Sequence, residues 1–229
     1  LSVWLENWTL LRWRINMLTK EELLDLDAPP LIKNVSLELY KEFSADYLLA
    51  RKFIYHFSDG SKMNIEFTEW GIYHMLSIQH INYRIKNNEF FQKVDGGLTF
   101  DDFKTDNSVK ARFREQKKRI SMFACVYNTL RKGQAFYIPS GKVKNTNNVK
   151  VDYILYRTLD NDNGMNLGIR QEAGKFVPLT ILVSKQSSLM KYVDVENFKL
   201  VEKLEITDMS GNVIESISYA LSDRERVRV

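Results

Sequence analysis

The chain predicts an α+β fold, with N-terminal helices and a β-hairpin, then one long basic helix packed on a mainly antiparallel C-terminal sheet. Three observations carry this. Residues 151–184 read as three strands joined by turns too short for anything but antiparallel neighbours. Residues 52–67 repeat that pattern around Ser58-Asp59-Gly60-Ser61. An apolar stripe at helical spacing, Val109, Phe113, Gln116, Ile120, Phe123, Tyr127 and Leu130, predicts a helix over 108–132.

In chain order, Trp4, Trp8, Leu11, Ile15 and Leu18 recur at helical spacing and predict an amphipathic first helix. Thr19 with Glu21-Glu22 has the form of a capped helix start, ended before Ala28-Pro29-Pro30. Leu39, Phe43, Tyr47 and Ala50 predict a helix over 36–50, and Thr68 is a good N-cap for a helix over 69–76. A further helix is expected near 89–94 and a strand at 135–138, followed by a mobile basic loop at 139–145. A final hairpin is expected at 198–207 and 213–219, with a frayed tail at 223–229. In domain terms this gives a helical extension at 1–33, an α+β domain at 34–190, and a hairpin and tail at 191–229 belonging to the same domain.

Alternation assigns faces in the 151–184 meander. Met165, Leu167 and Ile169 share an aliphatic side with Val177, Leu179, Ile181 and Val183. The other side offers Arg170, Thr180 and Ser184, with Arg157 or Tyr156 from the first strand. A solvated face of a half-buried sheet explains that pattern without any chemistry.

Length and composition bound the rest. At 229 residues and 44% hydrophobic content, the chain can bury a core of its own. A single cysteine, Cys125, excludes a disulfide framework and a cysteine-rich zinc site, and its place on the core side of the long helix suits a buried structural thiol. No apolar run approaches the roughly 20 residues of a membrane span, and the N-terminus lacks a signal-peptide pattern, so a cytoplasmic location without membrane contact is expected.

The net charge of +4 is unevenly spread: residues 104–150 hold twelve Lys/Arg against two Asp/Glu, whereas residues 1–50 hold five against eight. Within the long helix lie Lys110, Arg112, Arg114, Lys117, Lys118 and Arg119, and Lys142 and Lys144 follow in the loop. With Arg157 these are the candidate nucleic-acid-binding residues, because clustered cations attract phosphate backbones. The ordinary alternative is a charged outer face on a core-packed helix.

No phosphate-loop, dinucleotide, zinc or HExxH signature is present, and no carboxylate cage for Mg²⁺ stands out, so no cofactor and no metal are expected. Chemistry without metal would need an imidazole brought over the polar strand face. His74 or His80 could take or give a proton there, while Arg170, Arg157, Thr180 and Ser184 surround a phosphate. His56 lies in a strand, on the face shared by Ile54 and opposite Phe53, Tyr55 and Phe57.

The order of hairpin, Trp70-Gly71-Ile72-Tyr73-His74-Met75-Leu76 helix, long helix, then Met165-Asn166-Leu167-Gly168-Ile169 and Phe176-Val177-Pro178-Leu179-Thr180 resembles the phage-associated barnase/EndoU/colicin/RelE-like predicted nucleases. The resemblance covers about residues 45–185 and departs from the family pattern at Ser77, where the helix motif usually has Gly. It implies a metal-independent ribonuclease of a phage or mobile element, with His74 as general base or acid and Arg170 and Thr180 at the phosphate. Catalytic candidates are thus His74, Arg170, Thr180 and Ser184; the expected partners are nucleic acid, RNA before DNA, and a host or immunity protein. The alternative is a non-catalytic basic protein that blocks a host nucleic-acid-dependent enzyme. A virion or scaffolding role rests only on the tryptophan-rich N-terminus.

Overall fold

The computed structural model describes residues 17–160, 163–185, 188 and 190–219. The expected first helix and the frayed tail therefore lie outside the described residues. Within them are seven α-helices and nine strands, in a mixed α+β arrangement around one curled, mostly antiparallel sheet.

Helix α1 (Leu37–Phe43) starts where the Ser36 hydroxyl accepts from Leu39 N–H at 3.0 Å, and its C-terminal extension, Ser44–Leu49, is a π-turn rather than regular helix. Strands β1 (Arg51–Phe57) and β2 (Lys62–Glu66) form the expected hairpin. Helix α2 (Glu69–Met75) is capped by Thr68 Oγ1, which accepts from Gly71 N–H at 3.0 Å. Then come α3 (Ile78–Ile81), α4 (Phe90–Asp95) and α5 (Phe100–Thr105), the last opened by a reciprocal Thr99–Asp102 capping box.

The long helix is two helices. α6 (Lys110–Phe123) ends in a tighter turn, with Ala124 and Cys125 N–H donating three residues back to Ser121 and Met122, and α7 (Val126–Lys132) restarts after it. The apolar stripe runs through both because both are packed, which hides the break from periodicity. Cys125 sits buried at the junction; burial pushes its thiol up to about 12, which leaves it protonated and inert.

Strands β3 (Gln134–Tyr137), β4 (Tyr153–Thr158), β5 (Gly164–Glu172), β6 (Lys175–Ser184), β7 (Phe198–Lys199), β8 (Val201–Asp208) and β9 (Val213–Ser218) complete the sheet in the order β7-β3-β4-β5-β6-β2-β1-β8-β9. The β2–β6 contact is parallel and meets at one pair, Ile65 and Phe176. Beyond it the two strands part, and α2 and α6 lie along β6 instead.

Both faces of the meander are covered, which corrects the expectation of an open polar side. Met165, Leu167, Ile169 and Ile181 join the main core with the helices. On the other side Phe136, Ile154 and Tyr156 form a second core with Ile138, Val143, Val151 and Val193. The segment expected as a mobile loop is pinned there: Val143 is buried, its N–H donates to Val149 C=O, and Val151 N–H donates to Gly141 C=O. Alternation could not show this, because the covering residues come from a loop and from the stretch near 190–193.

The alternation in β6 is also broken. Gly168 faces Thr180 but Ile169 faces Pro178, so Leu179 is an extra residue in a β-bulge. The run Val177, Leu179, Ile181, Val183 therefore does not share one face.

Ser77, the residue that departs from the family pattern, links α2 to α3 in the left-handed region at φ +60°, fully buried, with its hydroxyl lacking a partner among the described residues. A side chain there costs about 1 kcal/mol relative to glycine, and the unpaired hydroxyl adds to it. Ser77→Gly should raise stability by about 1 kcal/mol in urea unfolding; a loss of stability would contradict the strain.

Candidate active site

Where β2 and β6 separate, a cleft of about 250 Å³ opens. Its walls come from α2 (Trp70, His74), the α3 region (Gln79, His80), α6 (Arg119), the segment Val149–Val151, and β6 (Leu179, Thr180, Leu182). Local contacts put each group there. Helix α2 lies hard against β6: a Cβ at Gly71 would come within 2.5 Å of the Pro178 carbonyl oxygen. One helical turn on, His74 is held edge-on between Trp70 (ring centroids 4.5 Å apart) and Tyr73 (5.4 Å). The bulge at Leu179 turns the strand so that Leu179 and Thr180 both line the cleft. Opposite Thr180 stands Gly168, where a Cβ would press within 2.6 Å of the Thr180 methyl.

Arg119 reaches from α6 to donate through Nη2 to Thr180 Oγ1. Its Nε is buried with no partner among the described residues, as is Oε1 of Gln79. Burial lowers the Arg119 guanidinium to about 10, so it stays charged at neutral pH. Both imidazoles are biased toward the neutral form. His74 is lowered first by burial and then by His80 and Arg119, and His80 by burial and then Arg119. Among the described residues no carboxylate lines the cleft, and Lys150 adds a second basic side chain. The arrangement is a small cationic pocket with two proton carriers and one hydroxyl, suited to an oxyanion whose charge grows during reaction.

The model of the phage-Barnase-EndoU-ColicinE5/D-RelE like nuclease 4 family matches residues 37–220. The chain belongs to this family. No curated protein and no solved structure matches it. The family makes it a nuclease-like domain, with nucleic acid as the implied substrate class. No helix among the described residues is long and apolar enough to cross a membrane.

Of the residues singled out in the sequence of this family member, the structure brings His74, His80 and Thr180 together with Arg119, which was read there only as one cation of the basic helix. Arg170 does not line the cleft; its Nε donates to Glu172 Oε1 at 2.8 Å. Ser184 is buried elsewhere, accepting from Asn166 Nδ2 at 3.3 Å and donating to Gly164 C=O at 3.4 Å. Arg157 is paired with Asp27. His56 pairs with Glu205 at 2.7 Å.

The basic set of α6 is split. Arg119 turns into the cleft, Arg112 packs over the Tyr83 ring, and Lys117 lies over Phe113, while Arg114 and Lys118 are exposed. Lys110 is half-buried, Lys142 is exposed, and Lys144 pairs with Asp194. A signal for Arg119 was present in the sequence: it lies three residues after Gln116 and four before Phe123, on the margin of the buried stripe.

Proposed function

We propose that this chain is a metal-independent endoribonuclease of a phage or mobile element, acting by 2′-hydroxyl attack on the adjacent phosphodiester. The observation that carries the reading is the convergence of His74, His80, Arg119 and Thr180 on one acid-free cleft. Neutral His74 takes the 2′-hydroxyl proton; the oxygen attacks phosphorus, the P–O5′ bond breaks, and protonated His80 gives its proton to the departing 5′-oxygen. The products are a 2′,3′-cyclic phosphate and a free 5′-hydroxyl.

The roles follow from electrostatics. The two imidazoles disfavour each other's charge, so the pair carries one proton more readily than two. We assign it to His80, which is exposed where His74 is half-buried and so loses less hydration on charging. A bound phosphate favours that proton, because an opposite charge nearby stabilises the imidazolium. Arg119 and Thr180 hold the phosphoryl oxygens, and Arg119 Nε finds there the acceptor that the described residues do not give it. Gln79 Oε1, buried and without a donor, accepts from a ribose hydroxyl, which favours RNA.

The test is cleavage of RNA in excess EDTA across pH. Product should end in a cyclic phosphate, and His74→Ala should lower the rate at least about 100-fold. The acid limb of the profile should fall below pH 6.5, since both imidazoles lie under that ordinary value and the base works unprotonated. Cleavage that requires added metal, or that survives His74→Ala, overturns the mechanism. Retention of RNA without product would indicate a binding protein instead.

A further inference from the structure

Tyr83 is the most exposed aromatic ring among the described residues, at 60%, and two guanidiniums lie near it: Arg112 at 5.6 Å and Arg84 at 5.9 Å from its centroid. Nothing in the core needs it there. The chain holds it in place locally, with Arg84 N–H donating to Asn82 Oδ1 at 3.1 Å. Arg112 is anchored through Nη2 to Ser108 C=O at 2.9 Å, and its Nε is buried without a partner among the described residues.

The position of this ring is what gives it meaning. Tyr83 comes three residues after His80, and α3 packs on α6. Arg112 and Arg119 are seven residues apart on α6, two turns, so they share one face at a separation of about 10 Å along the axis. Arg119 enters the cleft and Arg112 backs the ring. A track thus runs from the cleft to an exposed aromatic plate, over a distance that one or two nucleotides of a single strand span.

We propose that Tyr83, backed by Arg112, is a stacking subsite for an unpaired nucleobase flanking the phosphate held in the cleft, so that the substrate is single-stranded. This deepens the ribonuclease reading and rests on it for the cleft's role. A duplex keeps its bases stacked on one another and offers no free face to the ring, whereas a single strand does. Charge alone does not explain the patch. Asp106, held below its usual range first by Ser108 and then by Arg84 and Arg112, offsets part of the local positive field. A site meant only for backbone phosphate would not place a carboxylate there.

The experiment measures equilibrium binding of short oligoribonucleotides to the full chain carrying His74→Ala, which holds cleavage off. The ligands are a single-stranded homopolymer, the same length as a duplex, and an abasic strand with the same phosphates. Adding Tyr83→Ala should weaken the single strand about tenfold, leave the abasic strand unchanged, and leave the salt dependence unchanged. Tyr83→Phe should retain the affinity, since the ring and not the hydroxyl does the stacking. Equal loss on the abasic strand, no loss with Tyr83→Ala, tighter binding of the duplex, or no binding to any single strand overturns the proposal. A His74 variant that still cleaves would refute the mechanism, and the Tyr83 comparison is then read on 2′-O-methyl strands, which keep the bases and lack the attacking hydroxyl.

Discussion

Arg119→Ala should reduce RNA cleavage by about 100- to 1000-fold, with most of the loss in kcat, while Arg170→Ala stays within a few-fold of the parent. The size is that of removing one preorganised donor from a developing oxyanion in a site shielded from water. Arg119 meets that description: it is half-buried, charged, fixed through Thr180 Oγ1, and has a second donor without a protein acceptor. Arg170 is engaged with Glu172 at the surface, outside the cleft. Arg119→Lys should recover little, because an ammonium cannot hold Thr180 and a phosphoryl oxygen in one planar fork. Steady-state kinetics of the three variants checks this. If Arg170→Ala is the damaging change and Arg119→Ala the mild one, the phosphate site lies at Arg170 on β5 and not in the cleft beside α6.

Gly71→Ala should be the most damaging single-methyl change near the site. An added Cβ would come within 2.5 Å of the Pro178 carbonyl and 3.3 Å of Thr68 Oγ1. The first is backbone and cannot swing aside, so helix and strand must separate. Overpacking of this kind costs about 1–3 kcal/mol. It would also move His74, one turn further along α2, away from Thr180, two residues beyond Pro178. Activity should therefore fall by about 100-fold or more in protein that still folds, since misplacement of about 1 Å is enough for that. Circular dichroism, urea unfolding and cleavage measured together separate the two effects. An alanine variant with parental stability and rate would show that α2 does not ride on β6.

These contacts also explain how far the sequence could be read. The hairpins and the cap at Thr68 were legible because turn and cap chemistry is local. His74 and Thr180 were reachable through their motifs, and the Gly71–Pro178 contact supplies a physical reason for those motifs: a bare Cα against a backbone carbonyl. Arg170 and Ser184 were drawn in by a strict period of two. The bulge at Leu179 breaks that period, and a second core covers the face on which Ser184 lies. Arg119 was read as one cation of a basic face, because nothing local tells that β6 leaves β2 after Phe176 and admits α6 alongside. Long-range pairing decided what alternation could not.

The parting of β2 from β6 has a temporal consequence as well. The cleft draws its walls from residues near 70–80, from 119, from 149–151 and from 179–182, segments that meet only after the last of them has joined the sheet. A chain still being synthesised, or any fragment ending before residue 179, has its imidazoles but no pocket around them. Whatever this centre does to nucleic acid therefore requires the chain through β6 to be present and folded.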